Sequence, residues 1–437
     1  MKNKKDYADY IYASFMKAEK YLDRNIPDSK KRNPKLSENI ILKFSQKSAP
    51  CVAVTGSKGK GSVSNFISAI MQTEIKTGLM TSPHLIKFNE RIKINDKDIS
   101  DENIERIILD LKPQFDEIEK NLTEKEFISP MAWQGAAALE YFNENNTEFN
   151  IFELGKGAKY DDINNIPHDY SVINPIFLEH TRELGKTISE IALYKAEIIK
   201  SGQKCCYISE QFTDAEKIIE NRCNSVNVKL KKYGKDFYAD NIIFLKSGMK
   251  FDVYTNRCIY KDITIPLLGT HQVKNCALAF AICEDFLGKL NIEKCRENLI
   301  KINWPGRLEV ISSEPFIIAD ATINRESIDL IKETLFSMNI NKIISIIGIP
   351  DDKDFFGVAE KIKDISEKII ITKCLNPYYV FTDKQKNAFD NANLDVITSE
   401  NIYDALKKAE KFNLPICIMG TTGLISDVQK LKNNYIK

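Results

Sequence analysis

Cys51-Val52-Ala53-Val54-Thr55-Gly56-Ser57-Lys58-Gly59-Lys60-Gly61-Ser62 is the stretch on which the reading of the whole chain turns. Its first five residues are an apolar, β-branched run of the kind that forms a strand buried on both faces. The glycine-rich segment follows at once, and apolar residues then recur at helical spacing from Val63 to Met71. Strand, glycine-rich turn and helix together are the setting of a phosphate loop. Glycines let backbone N–H groups wrap an anion, the helix N-terminus favours negative charge, and a lysine neutralises it. Lys60 is followed by Gly61 before Ser62, which departs from the commonest spacing. A plain flexible loop is the bland alternative, and the strand before and helix after favour nucleotide binding over it.

The composition narrows the function further. Of 437 residues, 43% are hydrophobic and 28% charged, as in ordinary globular proteins. Sixty-two basic residues nearly balance sixty-one acidic ones, so no large field draws the chain to nucleic acid or to an anionic membrane. No apolar run reaches the ~18 residues of a membrane span, and residues 1–20 lack the apolar core of a secretory signal. The ten cysteines are scattered, with Cys205 and Cys206 adjacent and no CxxC, which suits reduced core residues, a cytoplasmic location and no metal–thiolate site. A chain of this length accommodates two or three domains.

Along the chain, residues 1–48 read as helices broken by a charged turn at Pro27–Arg32. Strands are expected at Lys76–Thr81, Phe149–Leu154, Tyr170–Ile176 and Cys205–Ser209, and a small exposed hairpin at Asn89–Asp98. Helices are expected at Glu102–Asn121, Met131–Asn145, Ile188–Lys200 and Gln272–Leu287, with a β-rich segment over Asp236–Pro266. Trp304-Pro305-Gly306-Arg307 punctuates the pattern, and alternating strands and helices then restart from Phe316 to Leu431. The expectation is an α/β protein: an N-terminal and central ATP-binding domain over 1–303, and a doubly wound domain over 304–437.

In a parallel sheet the strand ends of the first domain converge. Thr55, Thr81-Ser82, Glu153 and Glu179-His180 would then meet, and a hydroxyl, a carboxylate and an imidazole there suit Mg²⁺ alongside nucleotide phosphates. A strand-end Glu is as often an ion-pair partner, and a loop histidine is more often solvated. Lys195, on an amphipathic helix, reads from its own surroundings as a solvated lysine. Arg307 in the linker and Asp320 at a strand end are placed to meet phosphates if the domains close.

Six segments then add up in order: GSKGKGS, TSPHLIKFNERIKIN, ELGKGAKYDDIN, EHTRELGKTISEIALYKAEIIKSG, LLGTHQVKNCALA and WPGRLEVI. Over about residues 38–430 the chain resembles folylpolyglutamate synthase/dihydrofolate synthase, a family of the Mur ligase superfamily. The resemblance implies a Mur-ligase-like P-loop ATPase domain with a parallel-rich sheet and a C-terminal Rossmann-like domain. It implies that ATP phosphorylates an acceptor carboxylate and that a glutamate amine displaces the phosphate to form an amide. It also implies roles by position. Gly56, Ser57, Lys58, Gly59, Lys60, Gly61 and Ser62 would cradle the phosphates, and Ser82, Glu153 and His180 would coordinate Mg²⁺. Lys195 would be carbamylated and hold a second Mg²⁺, against its solvated reading, and Asn275 would lie near adenine. Arg307 and Asp320 would contact the nucleotide. Lys60, Lys195, His180 and Arg307 form the implied catalytic set.

The substrate regions depart from the family pattern. Where D-x-A-H-N-P is usual, the chain has Asp320-Ala321-Thr322-Ile323-Asn324-Arg325, so Ile323 replaces the histidine that helps place the incoming glutamate. The loop after Glu153, usually G-L-G-G-R-L-D-A-T-N and involved in pterin binding, runs Gly155-Lys156-Gly157-Ala158-Lys159-Tyr160-Asp161-Asp162-Ile163-Asn164. Gly420-Thr421-Thr422-Gly423 stands in place of G-S-x-Y. Arg325, Asn324 and Thr421 are the candidate amine-binding residues. The leading expectation is an ATP- and Mg²⁺-dependent ligase adding glutamate to a folate-type acid. One alternative joins a different amino acid to a different carboxylic acid, and another is a nucleotide-binding switch or scaffold without turnover. The expected partners are a small carboxylic acid and an amino acid, with no nucleic acid and no membrane, and the expected state is a monomer.

Overall fold

The structure is a computed structural model that describes residues 33–123, 126–179, 181, 183–376, 379–391 and 394–435. The elements expected before residue 33, and His180, lie outside the described residues. From there the chain divides into two compact units. One holds the chain up to Tyr238 with Val253–Ile259 and Lys274–Asn298, and the other holds Ala239–Asp252, Tyr260–Val273 and Leu299–Lys437.

In the first unit, helix α1 (Lys35–Ser45) precedes β1 (Cys51–Thr55), and α2 (Lys60–Met71) follows the glycine-rich turn. Next come β2 (Thr77–Met80), β3 (Ile92–Ile94), β4 (Lys97–Asp98), α3 (Asp101–Lys120), α4 (Pro130–Glu144) and β5 (Phe149–Glu153). Then β6 (Tyr170–Ile173), α5 (Ile188–Ala196), β7 (Cys205–Ile208), α6 (Thr213–Ser225) and β8 (Lys229–Lys232) complete an eight-stranded sheet ordered β4-β3-β2-β5-β1-β6-β7-β8. Every residue of β1 is buried, because β5 and β6 pair with it in parallel on its two sides. That is why its sequence is a continuous apolar run rather than an alternating one. The core holds Phe115 stacked on Trp133, ring centroids 3.9 Å apart.

The hairpin expected at Asn89–Asp98 is shorter. Glu90 accepts the backbone N–H groups of Leu85, Ile86 and Lys87 at 2.8, 2.9 and 2.8 Å, which winds Phe88–Arg91 into a tight helical turn. The hairpin itself is β3–β4, turning at Asn95 and Asp96 with φ of 46° and 61°. Both values fit the left-handed turn that joins two short strands.

Three strands, β9 (Phe237–Leu245), β10 (Gly248–Thr255) and β11 (Ile259–Ile265), pair in the order β11-β10-β9. Helices α7 (Thr270–Leu287) and α8 (Ile292–Leu299) follow. The second unit carries β12 (Glu309–Ser313), β13 (Phe316–Asp320), α9 (Ile328–Ser337), β14 (Ile343–Gly348), α10 (Phe355–Ile362) and β15 (Ser366–Ile371). It continues with α11 (Lys384–Asn391), β16 (Val396–Thr398), α12 (Ile402–Ala409), β17 (Ile416–Gly420) and α13 (Thr422–Tyr435). Its sheet runs β12-β13-β17-β14-β15-β16, parallel except for the edge pair β12–β13. The fold is α/β throughout, two parallel-rich sheets flanked by helices. Among the described residues, no helix is long and apolar enough to cross a membrane.

Candidate active site

The glycine-rich turn leaves a helix end uncapped. Gly59 is the N-cap of α2 at φ 79° and supplies no side chain to its first turn. The first N–H groups of a helix lack internal partners, and their dipole attracts anions. Gly56, at φ 141°, carries the carbonyl on which two lysines converge: Lys60 Nζ donates to it at 2.9 Å and Lys195 Nζ at 3.0 Å. Two ammonium groups on one carbonyl oxygen concentrate positive charge beside an uncapped helix end. Ser57 Oγ accepts the N–H of Phe177 at 3.0 Å, which ties the loop to the segment after β6. Lys58 lies between Ser57 and Gly59 in the same loop, Gly61 lies in the first turn of α2, and Ser62 Oγ is buried there without a hydrogen-bond partner.

Lys195 is not the solvated residue that its own surroundings in sequence suggest. Thr187 and Glu190 form a capping box that starts α5, with Thr187 Oγ1 accepting the Glu190 N–H at 3.2 Å. Two turns later Lys195 falls on the inward face and is only 1% exposed. Glu179 Oε1 takes its ammonium at 3.1 Å. Burial pushes the Lys195 pKa down to about 8, against the pull of Glu179, and Lys60 adds to the depression. Glu179 is thus the partly buried partner of Lys195.

Glu153, at the end of β5, is buried and accepts the Ser82 N–H at 2.9 Å, so the expected carboxylate and Ser82 do meet. Arg91 faces them and is missed from sequence. It donates from Nε to His84 Nδ1 at 2.8 Å and from Nη1 to Gln134 Oε1 at 2.8 Å. Burial lowers the Arg91 pKa to about 10, while Glu153 and Glu90 oppose the shift. The loop after β5 is held by Asp161 Oδ2, which accepts the Gly155 N–H at 2.7 Å, and by Thr55 Oγ1, which donates to Gly157 O at 2.8 Å.

A second polar group lies under the phosphate loop. Asn174, just past β6, is fully buried; its Nδ2 donates to Asn275 Oδ1 on α7 at 3.0 Å, and Ser209 Oγ donates to its Oδ1 at 3.3 Å. Sequence reading finds Asn275 but not Asn174. The signal was present, since Asn174 directly follows a parallel strand that neighbours the one ending in Thr55.

Among the described residues, no three His, Cys, Asp or Glu side chains group as a metal site. The donors at hand among the described residues are hydroxyls and the carboxylates of Glu153 and Glu179, and the orphaned Ser62 Oγ is the hydroxyl that a phosphate loop offers to Mg²⁺. Such a donor set fits Mg²⁺, which keeps waters and takes phosphate oxygens as ligands.

In the second unit, Asp320 ends β13. Its Oδ2 accepts the Leu308 N–H at 2.9 Å, which places the carboxylate beside the backbone of Arg307. The Arg307 guanidinium donates to Gly306 O at 2.9 Å. Asp320 and Met419 pair across parallel strands, as do Gly348 and Gly420, so Asp320, Asn324, Arg325 and Thr421 all gather at the carboxyl edge of this sheet. Such an edge is where ligands bind in doubly wound folds. Asn324 Oδ1 accepts Ser327 Oγ–H at 2.6 Å, and Thr421 Oγ1 receives the Leu424 N–H at 3.4 Å. Arg325 lies against Asp354, Nε to Oδ2 at 2.9 Å and Nη2 to Oδ1 at 3.3 Å.

A buried strand feeding a phosphate loop, two lysines at one carbonyl and a second doubly wound unit define a Mur-type ligase, and residues 54–283 match the Mur ligase middle domain. The chain is 31% identical over 390 residues to dihydrofolate synthase/folylpolyglutamate synthase of Bacillus subtilis, covering 86% of this chain and 89% of the relative. It is 26% identical to folylpolyglutamate synthase of Lacticaseibacillus casei, covering 87% and 89%. Its fold superposes on Mycobacterium tuberculosis folylpolyglutamate synthase complexed with ADP with a TM-score of 0.85 at 24% identity, over 97% of this chain and 99% of that one. The chain belongs to the folylpolyglutamate synthase/dihydrofolate synthase family. It is an ATP-dependent ligase, which sets aside the switch or scaffold without turnover.

Proposed function

We propose that this ligase transfers the γ-phosphoryl group of ATP to the carboxylate of a folate-type acid and joins the activated acid to glutamate. The carboxylate oxygen attacks phosphorus, ADP leaves, and an acyl phosphate forms. The glutamate amine then attacks the acyl carbon, the C–O bond to phosphate breaks, and the amine gives up a proton as the amide forms. The observation that carries this reading is the convergence of Lys60 and Lys195 on Gly56 O beside an uncapped helix end. The folate and glutamate assignments rest on what the similar enzymes from B. subtilis and L. casei are named for.

In this reading Gly56, Ser57, Lys58, Gly59, Lys60, Gly61 and Ser62 wrap the phosphates, and Lys60 neutralises charge on the group in transfer. Ser62, Ser82, Glu153 and His180 would hold Mg²⁺, which would screen the phosphate charge. Lys195 acts as a carbamate: its ammonium gives up one proton, the neutral amine adds to CO₂ and loses a second, and the resulting anionic oxygen would serve as a ligand for a second Mg²⁺. A buried amine with a lowered pKa favours that step. Carbamylation must break the Lys195–Glu179 pair, because two anions would then face each other. Asn275 reads adenine, Arg307 and Asp320 meet the nucleotide, and Asn324, Arg325 and Thr421 hold the incoming amino acid. The working division of the chain falls between residues 303 and 304, and the enzyme is a cytoplasmic monomer with reduced cysteines.

A different acid or amine remains the second reading. It rests on Ile323, which has no polar atom where the family places a histidine, and on the altered loop at residues 155–164. ADP release measured against a panel of folates, other carboxylic acids and amino acids separates the two. Turnover that requires a folate and glutamate together supports the first, and turnover only with another pair replaces it.

A further inference from the structure

We infer that Asn174 is a positioning residue that fixes the orientation of the Asn275 amide and thereby sets the preference for adenine over guanine. The inference rests on the reading of Asn275 as the adenine contact and goes beyond it. Three buried side chains form a directional chain: Ser209 Oγ–H donates to Asn174 Oδ1 at 3.3 Å, and Asn174 Nδ2–H donates to Asn275 Oδ1 at 3.0 Å. All three residues are at most 4% exposed. A hydroxyl can donate or accept, but an amide has one acceptor end and one donor end. Because Asn174 turns its Nδ2 donor to Asn275, the end of Asn275 that faces it is oxygen.

The backbone holds Asn174 rigidly enough for this. Its own N–H donates to Thr55 O at 2.9 Å, and Gln211 Nε2 donates to its carbonyl at 3.1 Å. Its side chain is wedged beneath the phosphate loop, where a Cβ on Gly59 would lie 2.4 Å from Asn174 Nδ2 and 3.0 Å from both amide atoms of Asn275. The two amides therefore lie against the backbone that receives the phosphates, on the side from which α7 presents Asn275.

The orientation matters because an asparagine amide distinguishes purines by its polarity. Adenine offers a donor at the 6-amino group beside an acceptor at N7, matching one amide oxygen and one amide N–H, whereas guanine offers two acceptors. The Asn275 oxygen has two lone pairs, so accepting from Asn174 does not prevent it from accepting a second N–H. A reversed amide would set oxygen against N7 and N–H against the 6-amino group, a mismatch for adenine.

The test uses Asn174→Asp, which is isosteric but can only accept when ionised, so Asn275 must turn its nitrogen towards position 174. The probes are ADP, GDP and inorganic tripolyphosphate, which has no base, with affinity measured by calorimetry on the full chain. Losing one oriented hydrogen bond at ~0.5–1.5 kcal/mol corresponds to roughly a 2- to 10-fold change. Asn174→Asp adds a negative charge beneath the phosphate loop and is expected to weaken ADP, GDP and tripolyphosphate alike on that account, and to weaken ADP at least about fivefold more than either of the other two. Ser209→Ala, a milder change that tests the same chain should the first variant misfold, should weaken ADP in the same direction and spare tripolyphosphate. In an Asn275→Ala background, Asn174→Asp should no longer alter the ADP-to-GDP ratio. Equal weakening of ADP, GDP and tripolyphosphate by either variant would reduce Asn174 to a prop for the phosphate loop and overturn the inference. Unchanged ADP affinity in both variants overturns it as well. Should Asn275→Ala itself leave ADP affinity unchanged, the adenine contact falls first, and the inference with it.

Discussion

Lys195 is a cation whose surroundings weaken its hold on the proton. Burial outweighs the nearby Glu179 and brings its pKa down to about 8, and Lys60 on the same carbonyl adds to the shift. A buried lysine paired with one carboxylate is costly as a purely structural device, since desolvation of both groups offsets much of their attraction. The proposed carbamate role would give that cost a purpose. Lys195→Ala is expected to lose roughly 100-fold or more of its turnover and to recover part of it when acetate or formate is supplied; full activity without additive ends the assignment. A second residue gives a stability prediction. His168 is buried with Nδ1 2.8 Å from Ile166 O and Nε2 2.9 Å from Ile198 O. Those carbonyls and Asp169 favour the imidazolium, but burial prevails, Lys200 opposes the charge too, and the pKa falls to about 4. An unfolded histidine titrates near ~6.5, so between those values the unfolded chain binds more protons. Stability is therefore full above pH ~6.5 and is lost as pH falls towards 4, by about 2 kcal/mol between pH 7 and 5. Urea midpoints at the two pH values should show this loss, and His168→Asn should reduce it; an undiminished loss in that variant would place the effect elsewhere, His84 being the nearest alternative, also lowered to about 4 by burial and Arg91.

The turn between β1 and α2 shows how far local sequence reaches. Gly59 takes a left-handed φ of 79°, and a methyl group there would press on Asn174 and Asn275. Gly59→Ala should accordingly abolish measurable ADP binding by calorimetry while the thermal midpoint drops only modestly, because the strain is local and ~1–2 kcal/mol in size. Retained binding would show that the loop does not receive phosphates. This turn was legible because glycine spacing, a buried strand and an amphipathic helix all point the same way. The parallel strand ends were legible for a related reason: the continuous apolar run at Cys51 and the apolar-rich runs at Phe149 and Tyr170 mark strands covered on both faces. What sequence could not show was direction in space. A lysine on an amphipathic helix reads as solvated, so nothing local revealed that Lys195 faces inward, and Asn174 looks like any polar residue after a strand. β8, Lys-Leu-Lys-Lys, escaped notice because an edge strand carries lysines that discourage further pairing and so lacks the apolar signature. Glu90 likewise acts by collecting three backbone N–H groups, which no periodicity records.

At the scale of the whole chain, the residues proposed to hold the phosphates keep to the family motif, and the departures fall in the two regions proposed to recognise substrate. The amine site is the sharper case. Ile323 neither donates nor accepts, and a ligand carboxylate beside it loses a charge-assisted bond worth ~1.5–3 kcal/mol, roughly a tenfold to hundredfold affinity. Arg325, two residues on, has the sign of charge to compensate, and it stands at the same carboxyl edge as Asp320 and Thr421. Its guanidinium is already forked onto Asp354, and Gly357 permits this, since a Cβ there would lie 2.5 Å from Arg325 Nε. Both partners are substantially exposed, at 50% and 34%, so the pair contributes ~0–1 kcal/mol and yields readily to a ligand carboxylate. Arg325→Ala is therefore expected to raise KM for glutamate at least about tenfold while changing KM for ATP less than about twofold. Asp354→Asn, which keeps a side-chain acceptor for the Gly357 N–H but removes the competing charge, should leave KM for glutamate equal or lower. If both variants keep the original KM for glutamate and shift only the thermal midpoint, Arg325 is a surface partner of Asp354, and the carboxylate must be held from Asn324 and Thr421.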